Sequence, residues 1–194
     1  MEFLEPKSQK DLWSAAQLVY LADQYYFDIF SNDKEVMIRK IFETYPDDRT
    51  DFSRVKAIYC DNNLIGAIVY YPTAEQHLRQ SFSLSYLTAG CDYSLRTLKK
   101  FNEEAGNVDG EGLYLSRIAI NTKFRGRGIG KRALRLLFKI ALAEGHKNLL
   151  LHVRFDNWIA IKCYSSLGFK NKNINCQKNY KQLEKNLTKN ISEK

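Results

Sequence analysis

Cysteine is sparse in this 194-residue chain, and its four copies, Cys60, Cys91, Cys163 and Cys176, stand far apart with no C-x-x-C pair. That spacing supports neither a zinc site nor a disulfide framework, so reduced thiols are expected. No apolar run approaches the roughly 20 residues a membrane span needs. The opening MEFLEPKSQKDLW lacks the basic start and apolar stretch of an export leader. A cytosolic protein without membrane contact is the expectation, and the sequons at Asn186 and Asn190 then carry no meaning. No repeat is visible. Acidic residues are missing from one stretch in particular: Lys123, Arg125, Arg127, Lys131, Arg132, Arg135 and Lys139 fall within 17 residues that hold no carboxylate.

What is present points to one substantial core. The chain is 44% hydrophobic, with twelve Tyr and eleven Phe, which suits a single globular domain. Its net charge of +8 is unevenly spread: residues 1 to 122 sum to −5 and residues 123 to 194 to +13. A basic half suits a polyanionic ligand, and an acidic half suits a cationic amine. Part of the positive excess sits in residues 170 to 194, where seven Lys face two Glu. With no Arg and few aromatics to stack on bases, that end reads as a solvated tail and not as a nucleic-acid arm.

Apolar spacing over Lys10 to Phe30 predicts helix, followed by a second helix from the cap-like Ser31-Asn32-Asp33 to Phe42. Val55 to Cys60 and Leu64 to Tyr71 read as strands joined by a hairpin at Asp61-Asn62-Asn63, the second ended by Pro72. Residues 74 to 106 are long for a strand connection and read as a helical insertion divided at Gly90. Leu113 to Ile120 is the next strand, then a glycine loop and a helix to about Glu144, stopped by Gly145. Leu149 to Arg154 reads as a buried strand. Asp156-Asn157 caps a helix from Trp158 to Leu167, and Gly168-Phe169 leads into weak strand material that includes Tyr180.

The loop between strand and helix, Arg125-Gly126-Arg127-Gly128-Ile129-Gly130-Lys131, is a cradle for phosphate. Glycines let backbone approach an anion, and a helix's first turn offers unpaired N–H groups and the positive end of its dipole. A P-loop is excluded, because Arg125 stands where its first glycine belongs and Arg132 where its hydroxyl belongs. A dinucleotide fingerprint is excluded too, since the third glycine comes one residue early and the next strand ends at a basic residue, Arg154.

What remains, R-x-x-G-x-G between strand and helix, resembles the acetyl-CoA pyrophosphate loop of the GNAT superfamily of N-acetyltransferases, with Arg125, Gly128 and Gly130 at the motif positions. The resemblance extends through Val153-Arg154-Phe155-Asp156-Asn157 and the helix pattern Ala160, Tyr164, Gly168-Phe169. It is close over residues 113 to 170 and rests on element order alone over residues 1 to 71. It implies an α/β fold with a twisted mixed sheet flanked by helices, in one domain over residues 1 to 170. A short strand and a Lys/Asn-rich tail would fill 171 to 194. In such a fold the strands Leu113 to Ile120 and Leu149 to Arg154 splay apart, and the pantetheine of acetyl-CoA lies between them. The resemblance further implies cofactor contacts from Ile118, Ala119 and Ile120, from Arg125 through Lys131 (Gly126, Arg127, Gly128, Ile129 and Gly130 included), and from Asn157 and Tyr164. Tyr164 would protonate the departing thiolate, which a phenol held at hydrogen-bond distance can do. As a plain core residue it would instead pack on Phe169.

The base and the acceptor are less readable. The strand before the loop contains no carboxylate, a departure from the family, which leaves Glu111 and His152 as candidate bases, with Tyr114 or Ser116 able to hold a water. Asp23, Tyr25, Tyr26 and Asp28 are candidate contacts for an ammonium group, as aromatic faces and carboxylates both attract cations. Asp92, Glu103 and Glu104 are further possibilities. The leading expectation is direct acetyl transfer from acetyl-CoA to a primary amine of a small molecule or peptide. A non-catalytic acyl-CoA sensor is the alternative, and a nucleic-acid module rests on charge alone. Monomer and homodimer are not distinguished.

Overall fold

Two adjacent residues of positive φ, Asp61 at 50° and Asn62 at 61°, turn the chain back on itself as the Asp-Asn-Asn run predicts. They join β2 (Val55–Cys60) to β3 (Asn63–Pro72). The computed structural model describes residues 1–89, 106–172 and 179–188. With β1 (Glu2–Leu4), β4 (Leu113–Ile120), β5 (Asn148–Arg154), β6 (Lys170–Asn171) and β7 (Tyr180–Asn186), these strands form one sheet in the order β1-β2-β3-β4-β5-β7-β6. Every neighbouring pair is antiparallel except β4 with β5. β7 therefore lies inside the sheet, paired with β5 from Asn148–Asn186 to Arg154–Tyr180.

Both faces of the sheet are covered, which is why β5 is apolar without a break at Leu149-Leu150-Leu151. Leu150 and Tyr114 face the first layer, built on Ala15, Ala16 and Val19 of α1 (Gln9–Ala22) and Met37 and Ile41 of α3 (Lys34–Thr44). Leu149, Leu151, Leu113 and Leu115 face the second layer, where Ala133, Leu134, Leu137 and Ala141 form the inner stripe of an amphipathic helix. That helix, numbered α5 below, spans Ile129–Ala143. Its end is a Schellman turn as Gly145 predicts: Gly145 has φ 84°, and the His146 N–H reaches Ala141 O at 2.8 Å. Asp33 caps α3 by accepting from Glu35 N at 2.9 Å. Asn157 caps the following helix α6 (Trp158–Ser166) by accepting from Ala160 N at 3.1 Å.

The helix expected over Lys10 to Phe30 is two helices. Asp23, with φ −148° and ψ 53°, breaks it between α1 and a single turn, α2 (Gln24–Phe27). Its carboxylate accepts from the Tyr180 hydroxyl of β7 at 2.9 Å, a tertiary contact that overrides the local apolar spacing. The insertion begins as helix α4 (Gln76–Thr88). Gln76 also clamps the segment's return, donating to Gly106 O at 2.7 Å and accepting from Val108 N at 2.8 Å. The division at Gly90 and the residues Asp92, Glu103 and Glu104 lie outside the described residues, as do Cys91 and Cys176. Cys60 and Cys163 are free thiols, and among the described residues no helix is long and apolar enough to cross a membrane.

Candidate active site

The register of β3 against β4 slips by one residue at Ser116: Val69 faces Arg117 while Tyr70 faces Leu115. Side chains alternate along a strand, so this bulge puts Tyr114 and Arg117 on one face although they are three positions apart. Pairing of β4 with β5 ends at the same point. Only Leu113–Leu149, Tyr114–Leu150 and Leu115–Leu151 are in register, and beyond them the parallel strands diverge. Leu115, Ser116 and Ile118 line one side of the gap, Val153 and Asn157 the other, and Tyr164 and Ala160 of α6 its floor. The expected splayed pair is thus the observed one.

The glycine loop lies directly after β4. Gly126 and Gly128 have φ of 77° and 72°, a region L side chains rarely adopt, and a Cβ at Gly126, Gly128 or Gly130 would meet nothing within 4 Å. Open space therefore faces all three. The first backbone bond of α5 is Arg132 N to Gly128 O at 3.1 Å, so the N–H groups of Ile129, Gly130 and Lys131 precede the helix's own ladder. Arg127 and Lys131 are exposed beside them, whereas Arg125 turns its Nε back to Ile120 O at 2.9 Å and fastens the loop to the strand. Donors, dipole and clearance together fit a phosphate group.

Tyr164 is buried, and its ring meets Phe169 edge-on with centroids 5.5 Å apart. It nonetheless borders the gap, so packing and access coexist. Burial holds its phenol above the ordinary value, which keeps the proton on oxygen. His152 of β5 faces the gap with Nδ1 3.1 Å from the Tyr114 hydroxyl. Burial pushes its imidazole down to about 4, leaving it neutral at ordinary pH. Ala119 is buried against the first layer and Ile120 packs on the second.

Three expected residues stand apart. Glu111 is exposed in the loop before β4, its carbonyl accepting from Asn148 Nδ2 at 3.2 Å. That is the paired end of β4, roughly 15 Å of extended chain from Ser116, and Glu111 is not brought to the gap. Asp28 accepts from the Tyr20 hydroxyl at 2.8 Å and Gln24 Nε2 at 3.2 Å, bonds internal to the α1–α2 corner. Burial and then this bond raise the Tyr20 phenol to about 12. Tyr25 is exposed, with the Arg154 guanidinium over its ring at 3.9 Å. Asp23 and Tyr26, by contrast, share a small chamber behind the gap with His152, Tyr114, Tyr180 and Arg117.

The sequence assigns Arg117 no role. It is 6% exposed and ion-paired with Asp51, itself held by Ser83. Burial pushes its guanidinium pKa down, but the Asp51 and Asp23 carboxylates outweigh that, so the charge stays. The signal was a single cation within the apolar strand Leu113–Ile120; its partner lies 66 positions away and left none. A roomier hollow between Lys7 and Tyr45 includes no residue of the gap. Among the described residues no cluster of His, Cys, Asp and Glu is arranged to hold a metal.

A sequence profile described as the acetyltransferase (GNAT) family matches residues 15–169. No curated protein sequence matches the chain. Among solved structures, one described as an acetyltransferase superposes with a TM-score of 0.69 at 21% identity, over 94% of this chain and 98% of the other. An N-acetyltransferase from Staphylococcus aureus Mu50 gives 0.66 at 20% identity, over 95% of this chain and 100% of that one. The PaiA N-acetyltransferase from Thermoplasma acidophilum, in complex with coenzyme A, gives 0.55 at 16% identity, over 96% and 99%. These likenesses establish a shared fold.

Proposed function

Since the chain belongs to the GNAT acetyltransferase family, we propose that it transfers an acetyl group directly from acetyl-CoA to a primary amine. The observation that carries this reading is the gap beside the Ser116 bulge, lined by Ile118, His152, Asn157 and Tyr164, on the strand whose chain continues into the glycine loop. The N–H groups of Ile129, Gly130 and Lys131 bind pyrophosphate, helped by Arg127, and Arg125 keeps the loop against β4. Pantetheine lies along β4 past Leu115, where that edge has no strand beside it, and Asn157 contacts it from the cap of α6. Backbone N–H groups of β4 polarise the thioester carbonyl.

In the transfer, the amine nitrogen bonds to the acetyl carbon as the carbon–sulfur bond breaks. Tyr164, whose buried phenol retains its proton, gives that proton to the leaving sulfur. Neutral His152, directly or through a water beside Tyr114 and Ser116, accepts the proton the amine must lose. Asp23 draws in the ammonium form, which sheds one proton to solvent before attack; the proton His152 then takes makes good the one Tyr164 gave, so one proton is released per transfer. Incubating the protein with acetyl-CoA and an amine panel, with thiol release as readout, tests this. Amine-dependent thiol release supports it; tight CoA binding without turnover would replace it by an acyl-CoA sensor, the reading favoured by the lack of a carboxylate in Leu113–Ile120.

A further inference from the structure

A neutral imidazole has one N–H and one lone pair, and only the nitrogen with the lone pair can take a proton. For His152 that nitrogen is chosen by Tyr114. The Tyr114 hydroxyl lies 3.1 Å from Nδ1, the single hydrogen bond it makes among the described residues, and edge-on ring contact at 5.8 Å accompanies the bond. Tyr71 packs on the Tyr114 ring at 5.7 Å and holds it in place.

Two proton arrangements fit this distance. If Nδ1–H donates to the phenol oxygen, the phenol's own proton has no acceptor among the described residues, in a side chain only 5% exposed. A buried donor is costly to leave so. If the phenol donates to Nδ1 instead, the imidazole proton sits on Nε2, which makes no hydrogen bond within the described residues yet is not among their buried orphan atoms. Nε2 is therefore accessible, and the second arrangement leaves no proton stranded. Burial also keeps the phenol protonated, holding its value above the ordinary one.

Nε2, the accessible nitrogen, then already carries a proton and cannot serve as the base, whereas the lone pair at Nδ1 is covered by the phenol. We propose that the amine's proton reaches Nδ1 through Tyr114, whose hydroxyl oxygen takes up one proton as its own passes to the ring. Tyr114 ends as it began, a neutral phenol, and His152 ends as the imidazolium. Tyr114, Ser116 and His152 line the chamber together, and its volume of about 40 Å³ admits a water that connects amine and phenol. This inference rests on the acetyl-transfer reading, makes Tyr114 the relay to His152, and closes the direct route.

The tautomer is read in the full chain labelled with nitrogen-15 in histidine, by long-range proton–nitrogen correlation spectra near neutral pH. His152→Gln identifies its signals among the three histidines. The expected spectrum has the proton on Nε2 alone, with and without CoA; a proton on Nδ1, or an even mixture, overturns the relay while acetyl transfer stands. Tyr114→Phe keeps the ring and removes the hydroxyl. In that variant the tautomers should mix and kcat should fall by about 10²-fold or more, with the KM for acetyl-CoA unchanged. A folded Tyr114→Phe protein whose kcat stays within about twofold of wild type also overturns the relay. The wild-type spectrum decides even where the variant does not fold. Wild-type protein that releases no thiol with any amine overturns the transfer reading and the relay with it, whatever the tautomer.

Discussion

At the scale of single residues, the site depends on proton positions set by burial. Under the proposed transfer Tyr164→Phe removes the donor to the leaving thiolate, so kcat should fall by about 10²- to 10⁴-fold with little change in acetyl-CoA affinity. Steady-state kinetics beside a melting curve would separate this from lost packing on Phe169, which would lower both stability and rate. His152 gives a second measurement. Its folded value of about 4 lies below the ordinary 6.5, so between those limits the unfolded chain binds the extra proton and the folded one does not. Stability from this group is therefore complete above about pH 6.5 and declines toward pH 4, by on the order of 1–3 kcal/mol. Urea midpoints across that window should fall less steeply for His152→Gln than for wild type. Residue placement was legible where it is local: Tyr164 and His152 both line the gap. It was not legible where a side chain is spoken for by another, as Asp28 is by Tyr20 within the α1–α2 corner and Arg117 by Asp51, 66 positions away.

Elements were legible where a turn or cap is written in adjacent residues. Leu113–Ile120, the Asp61-Asn62 hairpin, the Asn157 cap and the Gly145 stop all follow from local chemistry. The Ser116 bulge did not, because a register slip is a property of two strands and neither sequence alone encodes it. The break at Asp23 was hidden for a similar reason, its cause being a hydrogen bond to residue 180. For the glycine loop, two substitutions separate conformation from ligand access. Gly128→Val forces a branched side chain to φ 72° and should cost both stability and CoA affinity. Gly130 lies within α5 with no positive φ, so Gly130→Ala should raise apo stability by about 0.5–1 kcal/mol while its methyl obstructs the phosphate. Calorimetry showing unchanged CoA binding by folded Gly130→Ala would remove the cradle assignment.

For the molecule as a whole, charge is divided as the chain is, −5 over residues 1 to 122 and +13 over the remainder. The basic part includes the exposed Arg127, Lys131, Arg132 and Arg135 at the start of α5, and the acidic part contributes Asp23 and Asp51. Attraction of a polyanion to such a surface is screened over about 8–10 Å at ordinary ionic strength. The KM for acetyl-CoA should therefore rise between low and high salt, whereas kcat, set within the gap, should change little. A salt-independent KM would assign the binding to backbone donors alone.

The place of β7 has a consequence for how the protein is made. Residues 148–154 are synthesised well before residues 180–186, yet β5 has only three pairs with β4 and takes its other edge from β7. A chain released without residues 180–186 leaves Leu149-Leu150-Leu151 an apolar strand with one edge bare, the kind of segment that pairs with another chain. Truncation before residue 180 should therefore give aggregated protein well before it gives an inactive fold, which sedimentation of the truncated chain beside the full one would check.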